Sequence, residues 1–249
     1  MTCIISDTRA KNKEKDDRRD KMNFSKLRVA LDGPSGAGKS TVAKAVAAKT
    51  GLIYVDTGSL YRTVGLYMAQ HGIDAYDTDG IIAALPEVDI RLTYENGQQC
   101  VSLCGEQVGN KIRTEQASYY ASAVSKIPEV REFLLEMQRS LAREGGCIMD
   151  GRDIGTVIMP DAEIKVFMTA TAEERARRRH REQLEKGIDV TFEEILESII
   201  ARDKQDSERE AAPLKPADDA VMFVNDGYTV ETSADYIVGL MKEYLSAKV

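Results

Sequence analysis

The chain has 249 residues, 43% of them hydrophobic and 30% charged, with a formal net charge of −7. That length and composition allow one α/β domain with inserted lobes around a sizeable core, and no apolar run approaches the length of a membrane span. The acidic balance excludes a global basic field for nucleic acid or an anionic membrane, so any polyanion site must be built locally from clustered arginines and lysines.

Residues 9–21, RAKNKEKDDRRDK, are nearly all charged with mixed sign, and Met22 follows them directly. Such a run cannot bury apolar surface. Residues 1–26 are expected to be a disordered extension and residues 1–21 to be dispensable, the rival reading being a basic interaction arm. The N-terminus shows no apolar stretch followed by a small-residue cleavage site, so a cytoplasmic location is expected. Of Cys3, Cys100, Cys104 and Cys147, only the middle two are close, and C-x3-C without a second pair falls short of a four-ligand zinc site. Reduced thiols in strands and core are expected.

Residues 27–31 form a short apolar run ending at a Gly-rich turn, which reads as a buried parallel strand. Residues 40–49 carry Val42, Ala45, Val46 and Ala48 at helical spacing, closed by Gly51. A strand at 52–55 and a helix at 59–71 closed by Gly72 complete a β-loop-α-β-α start. Residues 88–94 and 100–103 then alternate apolar and polar around Glu95, Asn96 and Gly97, a hairpin signal, with a third short strand at 107–108. Residues 85–110 therefore read as a small antiparallel insert. Helices are expected at 114–124 and 128–144, and buried strands at 147–149, ending at Asp150, and at 164–168. Thr171 with Glu174, and Thr191 with Glu194, have capping-box spacing; they open an Arg-rich helix closed at Gly187 and a helix over 192–204. Pro213 and Pro216 punctuate a loop before a last strand at 221–224 and a last helix at 233–246. Strands alternating with helices imply a parallel sheet covered on both faces.

Gly33, Pro34, Ser35, Gly36, Ala37, Gly38, Lys39 and Ser40 fit G-x-x-x-x-G-K-[ST], with Thr41 next, between a predicted strand and a predicted helix. The glycines let successive backbone N–H groups turn inward around phosphates, and the helix points its positive end at them. Lys39 suits the β and γ oxygens, and the Ser40 hydroxyl suits Mg²⁺. The loop identifies a donor nucleotide and leaves the acceptor open.

No N-K-x-D guanine motif is present, and the nearest match to the apolar strand plus Asp-Glu of motor ATPases is Met149-Asp150-Gly151. A small-molecule kinase needs arginines from several elements, and Arg62, Arg131, Arg152, Arg175, Arg178, Arg179, Arg202 and Arg209 supply them. Arg202, Asp206 and Arg209 fall at i, i+4 and i+7, one face if the helix continues. Arg175, Arg178, Arg179 and Arg181 read alone as a solvated helix face; opposite a phosphate loop they read as a lid that excludes water. His71 and His180 are expected to be solvated and outside the chemistry.

Six segments together closely resemble the bacterial-type cytidylate kinases, the (d)CMP kinases of the nucleoside monophosphate kinase group of P-loop kinases. They are DGPSGAGKST (32–41), VDTGSLYR (55–62), IRTEQASYYASAVSKIPEVRE (112–132), DGRDIGTVIMPDA (150–162), EERARRRHREQLEKG (173–187) and RDKQDSERE…APLKPADDA (202–220). The resemblance runs from about residue 27 to the C-terminus and implies an α/β P-loop kinase fold. A central parallel sheet would be flanked by helices, with an NMP-binding insert carrying a small antiparallel sheet and a short helical lid. It implies a single kinase domain at 27–249, with a core at 27–60, 145–170 and 218–249, an NMP-binding region at about 61–132 and a lid at about 171–190. The implied reaction is ATP + (d)CMP → ADP + (d)CDP with Mg²⁺, in a monomer with no nucleic-acid or membrane partner. By the same resemblance, residues 33–41 and Arg178 hold ATP, with Ser40 as metal ligand. Arg62 and Arg152 hold the CMP phosphate beside Thr57, Arg209 lies near the transfer point, and Ser122, Arg131 and Asp153 read cytosine. Arg202 and Asp206 take the pentose hydroxyls, and Asp150 organises the Mg²⁺ or phosphate site, its plainer reading being a strand-end cap. Thr57 stands where many relatives have Ser, and Ser40 where some have Gly. The rivals are a kinase for UMP, for both UMP and CMP, or for another small molecule such as shikimate, and an ATP-binding regulatory or ribosome-associated protein.

Overall fold

The computed structural model of the chain describes residues 23–95 and 98–248. The segment 1–21 and the turn residues Asn96 and Gly97 singled out above lie outside the described residues. One correction falls at the domain edge: Phe24, expected within the extension, packs against the core, and its carbonyl accepts from Leu27 N–H at 2.9 Å.

Five parallel strands among the described residues form the central sheet: β1 (Arg28–Asp32), β2 (Ile53–Asp56), β6 (Cys147–Gly151), β7 (Ile164–Thr169) and β8 (Val221–Val224), in the order β2-β6-β1-β7-β8. β1 is central, which is why its middle residues Val29, Ala30 and Leu31 are apolar: both faces are covered. Val29 and Leu31 point to one face, where α1 (Lys39–Thr50) and α8 (Val230–Ala247) supply Val42, Val46, Ile237 and Met241. Ala30 points to the other, against Ala142 of α5 (Pro128–Arg143) and Ile154 and Ile158 of a π-helical turn (Ile154–Ile158) that follows β6.

A second core lies beside the sheet. Here α2 (Thr57–Gln70), α4 (Glu115–Val124) and α5 enclose Leu60, Val64, Met68, Val124 and Leu134 together with Ile90, Val101 and Leu103 of the insert. The insert is an antiparallel sheet of β3 (Ile90–Glu95), β4 (Gln98–Leu103) and β5 (Glu106–Gln107). The short helix α3 (Thr78–Ala84), capped by Asp77 on Gly80 N–H, was not anticipated. A third, small cluster of Ala176, Ile195 and Ile199 joins α6 (Ala172–Glu185) to α7 (Phe192–Glu208).

Both capping sites form, with one difference. Thr191 and Glu194 make the reciprocal pair. At Thr171 only half forms: its hydroxyl accepts from Glu174 N–H, while the Glu174 carboxylate turns to Arg177 and Arg178. α7 extends past residue 204 to Glu208, and α8 begins earlier than residue 233 because Thr229 and Thr232 cap each other.

Candidate active site

The Gly-rich loop connects the carboxyl end of β1 to α1, where ligands sit in open parallel sheets. Its first glycine is obligatory: Gly33 has φ of 148°, and a Cβ there would lie 1.9 Å from the Met168 carbonyl oxygen. α1 begins after Gly38 with no side-chain cap, so its first amides are left for a ligand. Lys39 Nζ donates to the Gly33 and Pro34 carbonyls, each at 2.8 Å, and is buried. Burial and the nearby Arg152 hold its pKa well below the ordinary lysine value. Ser40 Oγ donates to Asp150 Oδ2 at 2.7 Å, Tyr54 donates to Asp150 Oδ1 at 2.9 Å, and Thr57 Oγ1 donates to the Asp150 carbonyl at 2.8 Å. Burial, reinforced by Asp56, raises the Asp150 carboxyl above its usual range.

The arginines of α6 divide. Arg178 pairs with Glu174, and its Nη2 donates to the Asn225 carbonyl at 3.2 Å; a Cβ on Gly38 would lie 3.8 Å from its Nη1. It thus stands beside the donor loop. Arg175 corrects the expectation of an exposed face. It is buried, donates to the Ser35 carbonyl at 3.0 Å and grips Asp203 of α7 at 2.9 Å, so it anchors the loop backbone to α7. Arg179 lines the acceptor cavity.

That cavity, about 340 Å³, opens from the loop toward α2, α5 and α7, and six arginines and Lys39 face five carboxylates around it. Arg62 pairs with Asp56 at 2.6 Å, Arg152 with Asp206 at 2.9 Å, and Arg131 with Asp153. Arg209 lies 3.9 Å from Asp153, and its Nε donates to the Ala212 carbonyl at 2.7 Å. Among the described residues, three guanidinium nitrogens are buried without a hydrogen-bond partner: Arg62 Nε, Arg202 Nε and Arg209 Nη2. Burial, and then the charge of Arg152, lowers the Arg202 pKa to about 10, and burial with Arg131 lowers that of Arg209. Burial works to raise the Asp206 carboxyl, yet Arg152, Arg202 and Arg209 hold it below its ordinary value.

Every arginine and aspartate assigned to the acceptor lines this cavity, as does Thr57. Ser122 stands behind it. Its hydroxyl accepts from Gln205 Nε2 at 2.7 Å, while Ser118 and Ser125 of the same stretch line the wall. Arg209 is the C-cap of α7 with an extended backbone (φ −62°, ψ 140°), so it enters from the helix end rather than along one face with Arg202 and Asp206. His71 stacks on Tyr67 and His180 meets Phe192 edge-on, both away from the cavity. Sequence reasoning missed Asp32, Tyr54, Asp56, Gln205 and Asn225. Asp56 carried a signal, since an Asp before a helix start is a preferred cap. Asn225 gave none: it reaches Ala37 across the molecule, its Nδ2 donating to that carbonyl at 2.9 Å.

A family model described as cytidylate kinase matches residues 29–243. The chain belongs to the cytidylate kinase family. Similar proteins named cytidylate kinase include that of Caldicellulosiruptor bescii, 46% identical over 224 residues, covering 90% of this chain and 99% of that protein. That of Thermosipho melanesiensis is 44% identical, covering 87% and 97%. That of Bacillus pumilus is 46% identical, covering 86% and 95%. The cytidylate kinase match begins one residue into β1 and spans the sheet, the insert and the α6–α7 pair. No described helix is long and apolar enough to cross a membrane.

Proposed function

We propose that the chain transfers the γ-phosphoryl group of ATP to the phosphate of CMP and dCMP, giving ADP with CDP or dCDP. The observation that carries this is the set of partnerless, buried guanidinium nitrogens on Arg62, Arg202 and Arg209, in a cavity that opens from the phosphate loop. Buried donors are costly without an acceptor, and a second anionic substrate supplies acceptors. Membership of the cytidylate kinase family identifies that anion as a cytidine monophosphate.

Residues 33–41 and Arg178 hold ATP, and Lys39 leaves the loop carbonyls for the β and γ oxygens. Arg62 and Arg152 hold the acceptor phosphate and place it in line, with Arg209 at the transfer point. Arg202 and Asp206 take the pentose, and Arg131, Asp153 and Ser122 the base. An Asp acceptor suits the cytosine N4 amine, whereas uracil presents a carbonyl there, which supports CMP over the UMP alternative. The acceptor phosphate is already an anionic nucleophile, so no strong base is required; positioning and charge stabilisation carry the rate.

The residues present fit Mg²⁺. The Ser40 hydroxyl and the Asp150 carboxylate form a hard oxygen pair beside the loop, and a cation would relieve the buried charge that raises Asp150. Ser40 would hold the ion and Asp150 would organise it. When bound, it supplies neutralisation of charge on the β and γ phosphates. α6, within the lid at about 171–190, closes over the site, and the region from about 61 to 132 moves as the NMP-binding part of a single kinase domain. The enzyme works in the cytoplasm, and it works as a monomer, an oligomeric state that gel filtration checks directly.

A coupled assay of ADP release from Mg·ATP, with CMP, dCMP, UMP, AMP, GMP and shikimate supplied separately, tests the reading. CMP and dCMP well ahead of the rest supports it. Tight ATP binding with no turnover on any acceptor would favour a regulatory protein instead.

A further inference from the structure

Asp32 is the last residue of β1, immediately before the donor loop, and only 4% of it is exposed. A carboxylate there interrupts an otherwise apolar strand, and neither the donor loop nor the acceptor cavity uses it directly. Both of its oxygens are engaged. Oδ1 accepts from Ile154 N–H at 2.8 Å and Oδ2 from Gly155 N–H at 2.7 Å. These two amides open the π-helical turn that begins directly after Arg152 and Asp153. The first amides of any helical turn lack an internal acceptor, and Asp32 provides it from across the sheet. The turn is closed from its other side by Val157 N–H on the Asp153 carbonyl at 2.9 Å and Met159 N–H on the Ile154 carbonyl at 2.7 Å. Asp153 itself has φ −144° and ψ 26°, outside the regular regions, so the direction of its side chain depends on how the following turn is held.

We propose that Asp32 is a positioning residue for the acceptor: by fixing the turn at Ile154 and Gly155, the strand that carries the donor loop sets where Arg152 and Asp153 point. One carboxylate thereby registers the two substrate loops against each other. The inference rests on the proposed acceptor roles of Arg152 and Asp153. Its geometry is tight. A Cβ on Gly155 would lie 3.3 Å from Asp32 Oδ2 and 3.3 Å from Lys165 Cδ, so even one methyl group presses on the contact. The charged groups facing Asp32 are Lys39 of α1 and Asp153 of the loop, with the Lys165 stem of β7 beside Gly155. Burial raises the Asp32 carboxyl to about 6 against the pull of the two amides.

The test is steady-state kinetics with CMP, UMP and ATP varied in turn for Asp32→Asn, Gly155→Ala and, as a reference, Asp153→Asn. Asn keeps the shape of Asp but offers one acceptor and turns an N–H donor toward the second amide. The expected result for Asp32→Asn is a rise of about tenfold or more in KM for CMP and a several-fold fall in CMP-over-UMP preference. KM for ATP should change less than about threefold, because the loop backbone is untouched. Gly155→Ala, which keeps the carboxylate, should move the same two quantities in the same direction by less, and it decides the matter if Asp32→Asn does not fold. A merely structural role would lower stability without changing base preference. CMP KM and preference within about twofold of the parent in the folded variants would overturn the inference, as would equal losses for ATP and CMP. If Asp153→Asn alone leaves the preference unchanged, the acceptor reading beneath it is what has failed.

Discussion

Arg152 shows how a single side chain can be read twice. It pairs with Asp206, and it also carries a bond from its Nη1 to the Gly151 carbonyl at 3.2 Å. In the reaction it would exchange that partner for the acceptor phosphate. Arg152→Ala should therefore lower turnover by about 10²–10³-fold. It should change the melting temperature little, because Arg202 and Arg209 still neutralise Asp206; kcat and a thermal melt measured together check both halves. Asp32 gives a second prediction at this scale. Its folded pKa is raised from 3.8 to about 6, so its contribution to stability is fully present below pH 3.8 and is lost as pH rises through about 6. The stability advantage of the parent over Asp32→Asn should shrink across that window, read by denaturant melts at each pH. The arginines and aspartates were legible in the sequence because their types and spacing match the chemistry. Asp32, Tyr54 and Asn225 were not, because what they do depends on partners 122, 96 and 188 residues away.

The elements were read best where local chemistry decides them. Thr191 caps α7 in the manner its spacing to Glu194 required, so Thr191→Ala should cost about 1 kcal/mol and lower the melting temperature without changing the acceptor preference. The interior strands β1, β6 and β7 were recognisable as apolar runs between turns, since they are buried on both faces. Local reading failed where a neighbour overrides it. Arg175 sits in an Arg-rich, strongly polar helix, and nothing in that pattern says which arginine faces inward; Asp203 and the Ser35 carbonyl decide it. The π-helical turn was invisible for the same reason. It forms around acceptors from β1, and it occurs where the loop bearing Arg152 and Asp153 must be aimed. The continuation of α7 to Glu208 brings Arg202 and Asp206 to the cavity, and the extended cap at Arg209 turns that arginine in behind them.

At the scale of the whole molecule, the two main cores meet at the acceptor cavity: the parallel sheet supplies the donor loop and the segment from Asp150 to Asp153, and the helical lobe supplies Arg62 and Arg131. α6 reaches toward that lobe as well, since Gln183 donates to Glu115 of α4 at 2.9 Å. The alternation of strands and helices disclosed this architecture, whereas the packing of the insert onto α2 and α4 could not be read from period alone. Buried guanidinium nitrogens that lack a hydrogen-bond acceptor gain stability when a ligand supplies one. Saturating CMP at about 100 times its Kd should add about 2.7 kcal/mol and raise the melting temperature, and cytidine, lacking the phosphate, should add much less at equal concentration. The most direct measurement of the central claim is internal competition: equimolar CMP, dCMP and UMP with Mg·ATP in one tube, and the diphosphates quantified by mass spectrometry before a tenth of the substrate is consumed. CDP and dCDP are expected, with UDP lower by about tenfold or more. Equal UDP, or ADP released without any nucleoside diphosphate from the acceptors, would contradict it.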